Sequence, residues 1–489
     1  MLNELVSKLP FWTCLFLFVA NLQAQNADDA LRYSLTGFGG TARSMGVGGA
    51  FSSLGADLSV IGTNPAGLAF YRKSELSITP SLYFSDTETT YLGELTVDNR
   101  NRFNLNQLGF VSAKVARKNG DKERDWRSTA FAIGFNRLAN YNRQFSLRGY
   151  NQQSSITDYY ASQAQGIAEG NLLDAEPYYL GPAYWSYLIN PDSTGQNYAG
   201  TAAGGNIQQE QYMLEKGAMD ELSIAMGGNY QDKLHIGAGI GVPFVRYSRE
   251  TTYSEEDINN VIPDFVKFNQ SEILDASGIG INAKLGLIYR PLEWVRVGIA
   301  AHTPTLLSLN ENFHTQMQAD FESFQPDQQV SPDGKFEYRL KTPWRLVTGA
   351  SFIVKKAGFV SVDYEWADYS QNEVETDGND DFRLELNADI RQRFKPVHTI
   401  RIGGEAAYKI FRARLGYALQ TSPYAVETAS GFGRQSITGG VGIRDDGIFA
   451  DLAFVHHASK NEYVLYTDSP TASLKQGNNN LVFTIGFRW

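Results

Sequence analysis

From about residue 75 to its end, the chain alternates large apolar residues with small or polar ones in segment after segment. That period of two constrains its fold more than any other feature, because successive strand residues point to opposite faces of a sheet. In the last segment, positions 481, 483, 485, 487 and 489 are large and apolar, while Thr484, Gly486 and Arg488 are small or polar; only Val482 breaks the rule. The pattern recurs at 411–417, 360–366 and 222–227, and at 234–244, where His235, Gly237, Gly239 and Gly241 occupy the second face. Small inward residues leave room for something close to the wall. About fourteen strands are expected, at 75–91, 100–117, 127–150, 219–230, 234–254, 276–290, 295–318, 335–354, 358–374, 398–409, 411–423, 436–445, 447–465 and 479–489. Their connections sort by parity: 231–233, 291–293, 355–357 and 446–447 are tight, whereas 151–218, 255–275, 319–334, 375–397, 424–435 and 466–478 are long. Short turns at one end and long loops at the other mark an all-β transmembrane antiparallel barrel, with the turns periplasmic.

The N-terminus reads as a signal peptide over 1–24. Lys8 precedes the apolar run at 14–20, which is too short to span a bilayer, and cleavage is expected after Ala24. The only cysteine, Cys14, would leave with it, so disulfides and thiolate metal sites are not expected. A net charge of -10 without a basic stripe argues against nucleic acid. Export together with the strand pattern implies the outer membrane of a Gram-negative cell, with membrane lipid around the barrel. The apolar final strand ending in Trp489 is the expected handle for outer-membrane assembly machinery.

Residues 25–72 do not alternate. Nine of the 46 glycines lie between Gly37 and Gly67, interleaved with Phe38, Met45, Val47, Phe51, Leu54, Leu58, Ile61 and Leu68. A flexible linker would not carry such apolar bulk. The segment reads as a tightly turned plug, or hatch, that buries its side chains inside the barrel at 73–489, entering from the periplasmic end. Asn64-Pro65-Ala66 forms a rigid turn, expected near the junction with the first strand. Phe51, Leu54, Leu58 and Ile61 either fill the lumen or form a gate touching ligand.

Several motifs in order resemble the FadL/TodX family of outer-membrane transporters for long-chain fatty acids and other hydrophobic compounds. They are 46–51, 55–57 and 64–68 in the hatch, then 285–291 with 297–304, Thr342-Pro343-Trp344 leading to 362–370, and 401–405, 415–417 and Ser422-Pro423. The resemblance covers nearly all of the chain after the signal. It implies a fourteen-stranded barrel, a hatch blocking the lumen, and energy-independent uptake, with substrate leaving sideways through a wall gap near a kinked strand. The loop 151–218 has no counterpart, so ligand contacts from extracellular loops do not carry over.

That loop holds Tyr178, Tyr179, Tyr184, Trp185 and Tyr187, and short helices are expected near 155–168 and 207–217. Its aromatics either catch hydrophobic ligand or pack onto the barrel rim and membrane interface. Asp363 and Glu365 share a strand face, as do Arg412 and Arg414. Arg345, Arg401, Arg412 and Arg414 are therefore candidates to guide a carboxylate head group, the alternative being a salt-bridged lumen. His456 and His457 are adjacent on a strand and face opposite ways, and no histidine has metal-ligand spacing. No catalytic motif, metal site or cofactor is expected. The expected function is passive uptake of hydrophobic small molecules, fatty acids first by resemblance. The alternatives are a receptor for haem or aromatic hydrocarbons, and a structural or adhesive barrel.

Overall fold

The computed structural model describes residues 27–116, 125–376, 378, 380–426 and 432–489. The expected signal peptide lies outside the described residues. Fourteen antiparallel strands follow one another around the wall, and β1 (Glu75–Tyr91) closes the barrel against β14 (Thr471–Arg488). Between them come β2 (Glu94–Val115), β3 (Trp126–Asn140, resuming as Arg143–Asn151), β4 (Ile207–Tyr230) and β5 (Leu234–Glu256). Next are β6 (Phe265–Leu292), β7 (Val295–His302 and Leu306–Phe321), β8 (Gly334–Lys341 and Arg345–Val354) and β9 (Gly358–Asp368). The wall is completed by β10 (Pro396–Tyr408), β11 (Phe411–Thr421), β12 (Phe432–Asp445) and β13 (Ile448–Val464). Each pairs with its neighbours in sequence.

The alternation separates two surfaces. Leu76, Ile78, Leu82 and Phe84 on β1, Leu222, Ile224 and Met226 on β4, and Phe483 and Phe487 on β14 are exposed outward. Their partners in the alternation, such as Ser77, Thr79, Glu221, Ser223 and Thr484, are buried inward. An apolar outer band around a polar interior is the inverse of a water-soluble barrel.

Several strands run further than the alternation indicated. β6 starts at Phe265 instead of 276, β12 at Phe432 instead of 436, and β14 at Thr471 instead of 479. The stretch at 207–217, expected as a helix, is instead the first half of β4 and pairs with both 143–151 and 246–256. Two partner strands satisfy its backbone, and this outweighs the helix preference of its Gln, Glu and Lys residues. The long loop is accordingly 152–206. One connection at the long-loop end is tight: Leu92 and Gly93, both at positive φ, join β1 to β2.

Inside the wall, the N-terminal segment forms α1 (Ala27–Ser34), α2 (Ala42–Gly46), α3 (Val60–Thr63) and a 3-10 turn over Pro65–Phe70. The loop 152–206 contributes α4 (Ile156–Ala164), α5 (Leu172–Ala175) and α6 (Leu180–Trp185), and the loop after β9 contributes α7 (Asp380–Arg393). The segment does not simply enter from the short-turn end. Asp28 pairs with Arg393 of α7 at 3.1 Å, so the described chain begins high in the lumen beneath the loops and descends to the hatch.

Candidate functional site

The hatch is seated on glycines in the wall. Phe51, Leu54, Leu58, Ile61 and Leu68 are buried with Val111, Ala130, Ala132, Ala225 and Phe359 of the barrel. Where backbone meets backbone, no wall side chain fits. A Cβ on Gly286 would lie 1.9 Å from Asn64 Oδ1, one on Gly237 2.3 Å from the Pro65 carbonyl carbon, and one on Gly403 2.1 Å from the Val47 carbonyl oxygen. Gly416 and Gly298 approach Gly48 and Ser52 in the same way. Asn64 is the pin of this seat. Its side chain donates to Ser52 O at 2.7 Å and to Leu287 O and Ile299 O at 3.4 Å, and its Oδ1 accepts from Ala66 N at 3.1 Å. The Asn64-Pro65-Ala66 turn thus touches β6 and β7 near the short turn that joins them. Within the hatch, Asp57 Oδ1 accepts from Thr41 Oγ1, Ser59 N and Ser59 Oγ at 2.8, 3.0 and 2.7 Å, while Thr41 caps α2.

The inward charges are matched in pairs. Arg345 and Arg401 both hold Glu365 at 2.8 Å. Arg414 is enclosed between Glu405 and Asp451, each at 2.7 Å, and Glu405 also binds Arg43 of α2 at 3.1 Å. Asp363 accepts from Ser52 N at 2.7 Å. Breaking such a buried pair leaves an uncompensated charge; Arg43–Glu405 and Ser52–Asp363 tie the hatch to the wall, while the pairs of Arg345, Arg401 and Arg414 join wall strands to one another. Arg412 sits apart, donating to the carbonyls of Lys409 and Phe411 at the short turn. His456 and His457 do face opposite ways, toward Asn479 and Ser436.

Above the hatch the lumen becomes aromatic. Tyr33 of α1 meets Tyr247 and Tyr141 edge-on at 6.1 and 6.3 Å, and Arg32 lies 4.5 Å above the Tyr247 ring. Tyr178 and Tyr179 descend from the loop to Phe313 at 5.5 and 6.0 Å. Glu176 positions them, accepting from the N–H groups of Tyr178, Tyr179 and Leu180. Tyr184, Trp185 and Tyr187 remain outside: Tyr184 stacks edge-on with Trp185 at 5.3 Å, and Tyr187 with Phe324 at 5.1 Å. Trp185 is 55% and Tyr187 49% exposed. The loop aromatics therefore divide between a lumen group and a surface group.

The wall is interrupted on one side. The β2–β3 ladder runs from Val115↔Ser128 only to Gln107↔Asn136. β3 then breaks at Tyr141 and Asn142, and its second half pairs with β4 alone. Opposite the break, Gly217 holds φ +122°, and a Cβ there would meet the Arg246 carbonyl oxygen at 2.0 Å. Only glycine fits this bulge. Tyr141 N donates to Gly217 O at 3.0 Å, and its hydroxyl reaches Arg32 O of α1. A small cavity of about 50 Å³ between Phe38, Gly62, His302 and Arg345 extends to Arg137 and Leu138, just before the break. The break, the α1 aromatics and the free wall edge carried no sequence signal beyond the isolated Gly217.

No family model and no curated protein sequence matches the chain. Solved structures do match. The toluene transporter TbuX of Ralstonia pickettii is similar at a TM-score of 0.53 and 15% identity, over 94% of this chain and 100% of that one. The P. putida toluene transporter TodX gives 0.54 and 13%, over 93% and 99%. A Pseudomonas aeruginosa FadL homologue gives 0.56 and 11%, again over 93% and 99%. At these identities the fold is shared: a closed fourteen-stranded barrel of the FadL type.

Proposed function

We propose that this chain is an outer-membrane channel for passive uptake of hydrophobic small molecules, gated by its N-terminal hatch, and that it performs no covalent chemistry. The observation that carries this reading is a lumen filled by a seated hatch inside a wall whose backbone ladder is interrupted between β2 and β3. Substrate first partitions onto the exposed loop aromatics Trp185 and Tyr187 and the half-buried Tyr184 beside them, each buried CH₂ contributing about 0.8 kcal/mol. It next enters the aromatic chamber around Tyr33, Tyr178, Tyr179 and Tyr247. A shift of the hatch that draws α1 away from Tyr141 then opens the way to the wall gap, driven by the substrate gradient. Phe51, Leu54, Leu58 and Ile61 keep the lower exit closed. Arg345, Arg401 and Arg414 brace the wall, since their charges are already engaged by wall carboxylates, and Arg43–Glu405 and Ser52–Asp363 hold the hatch against it.

Long-chain fatty acids are the first substrate class to test. Monoaromatic hydrocarbons are the second, favoured by the aromatic chamber and by the similarity to toluene transporters. Proteoliposomes carrying the full chain should take up one of these faster than empty vesicles, and deletion of 27–72 should produce a large ion conductance. No uptake of either compound, together with no conductance after deletion, would refute the gated channel.

A further inference from the structure

The free edge of β2 bears two arginines that the wall does not use. Asp98 is tied to the upper part of β3, accepting from Ser146 N at 2.6 Å and Ser146 Oγ at 2.7 Å. Asn104, on the same face, is tied to Arg137 of β3 at 2.6 Å. Between these two bridges no backbone ladder joins the strands, and Arg100 and Arg102 occupy that interval on that face. Arg100 is only 8% exposed, yet its Nε and Nη2 have no hydrogen-bond partner. Arg102 is exposed and, among the described residues, has no ion pair.

The nearby carboxylates Glu250, Asp220 and Asp98 are committed elsewhere. Glu250, the acid near enough to act on Arg100, is bound by Lys216. Asp220 is bound by Arg137 at 2.9 Å, and Asp98 by Ser146. A buried guanidinium without an anion is costly, and a second cation two residues away raises that cost. The missing component is a negative charge.

Its height identifies its carrier. Arg100 pairs with Ser85 and Arg102 with Tyr83, at the level where the outward residues of β1 change from Leu82 and Phe84 to Asp86 and Glu88. That is where headgroups meet acyl chains. We infer that the cleft between β2 and β3 binds the anionic headgroup of an amphiphile, a carboxylate or a phosphate, with Arg100 and Arg102 as its ligands and the tail lying along the apolar outer band. A phosphate would come from a lipid of the surrounding leaflet, and a carboxylate from a molecule passing through the gap. Only the second source rests on the proposed channel.

Equilibrium binding tests this independently of transport. The full chain, Arg100→Gln/Arg102→Gln and Arg100→Lys/Arg102→Lys would be compared after heat-dependent gel migration confirms a folded barrel. The probes are radiolabelled dodecanoate, dodecanol, and phosphatidylglycerol against phosphatidylcholine retained in native mass spectra. Loss of two charge-assisted contacts should weaken binding of one anionic probe about tenfold or more in the glutamine variant, with the lysine variant restoring most of it and dodecanol unaffected. A loss confined to phosphatidylglycerol assigns the site to membrane lipid, and one confined to dodecanoate assigns it to the passing amphiphile. Equal binding of both anions by the full chain and the glutamine variant overturns the inference, as does an equal fall for dodecanol. Should the double variant not assemble, Arg102→Gln, at an exposed position, carries the same comparison. Anion binding without uptake in vesicles would refute the channel and leave this site standing.

Discussion

Gly286 and Asn64 show how single residues hold the hatch. Because a Cβ on Gly286 would sit 1.9 Å from Asn64 Oδ1, Gly286→Ala should unseat the Asn64 turn without disturbing the outer band. Planar-bilayer recordings should then show a raised ion leak against a quiet parent. Asn64→Ala removes its donations to Ser52, Leu287 and Ile299 and leaves carbonyls unpaired; about 1–3 kcal/mol of local stability should be lost, read as faster amide exchange in 41–71. Glu365→Ala strands both Arg345 and Arg401. Removing one partner of a buried pair costs about 3–5 kcal/mol, so the variant's unfolding midpoint in denaturant should fall, and more than that of Arg412→Ala, whose side chain only bonds a turn. The sequence showed which residues face inward, because parity alone decides that. It did not show that Arg414 would be sealed between Glu405 and Asp451, since pairing across strands depends on register.

Among the elements, those immersed in the apolar band were the most legible. Where a strand faces lipid outside and polar groups inside, alternation is forced, as in 222–227 and 481–488. Beyond the band the outer face is polar, and the inner face carries buried, hydrogen-bonded polar residues such as Gln209 and Gln211, so 207–217 lost its alternation and resembled a helix, and β6 and β14 seemed to start late. α7 was not anticipated, because a helix over a barrel mouth needs only Phe382, Leu386 and Ile390 buried against the lumen cluster. α1 beneath it links mouth to hatch through Asp28–Arg393 and through Asn372, which donates to Ser34 at 3.0 Å. At the outer surface, Trp185→Ala and Tyr187→Ala together should slow uptake at low substrate concentration and leave the saturated rate unchanged. That outcome follows from the proposed catching role, and a fall in the saturated rate would place them in the passage instead.

At the scale of the whole molecule, the hatch proposed to move leads directly into β1 of the closed barrel. The barrel closes by β1–β14 pairing from Glu75↔Arg488 to Thr90↔Ser473, so opening must come from the hatch, from α1, or from the edge between β2 and β3. Residue 14 holds the only cysteine of the chain, so engineered pairs after the signal report cleanly. Ser52 and Gly349 face each other across the hatch–wall contact, a Cβ on Gly349 lying 2.2 Å from Ser52 Oγ. The most direct measurement is therefore uptake by proteoliposomes carrying Ser52→Cys/Gly349→Cys, oxidised and then reduced, with radiolabelled fatty acid and toluene. A hatch that must shift predicts uptake at least tenfold lower in the oxidised protein and restored by reductant; equal uptake in both states would contradict it.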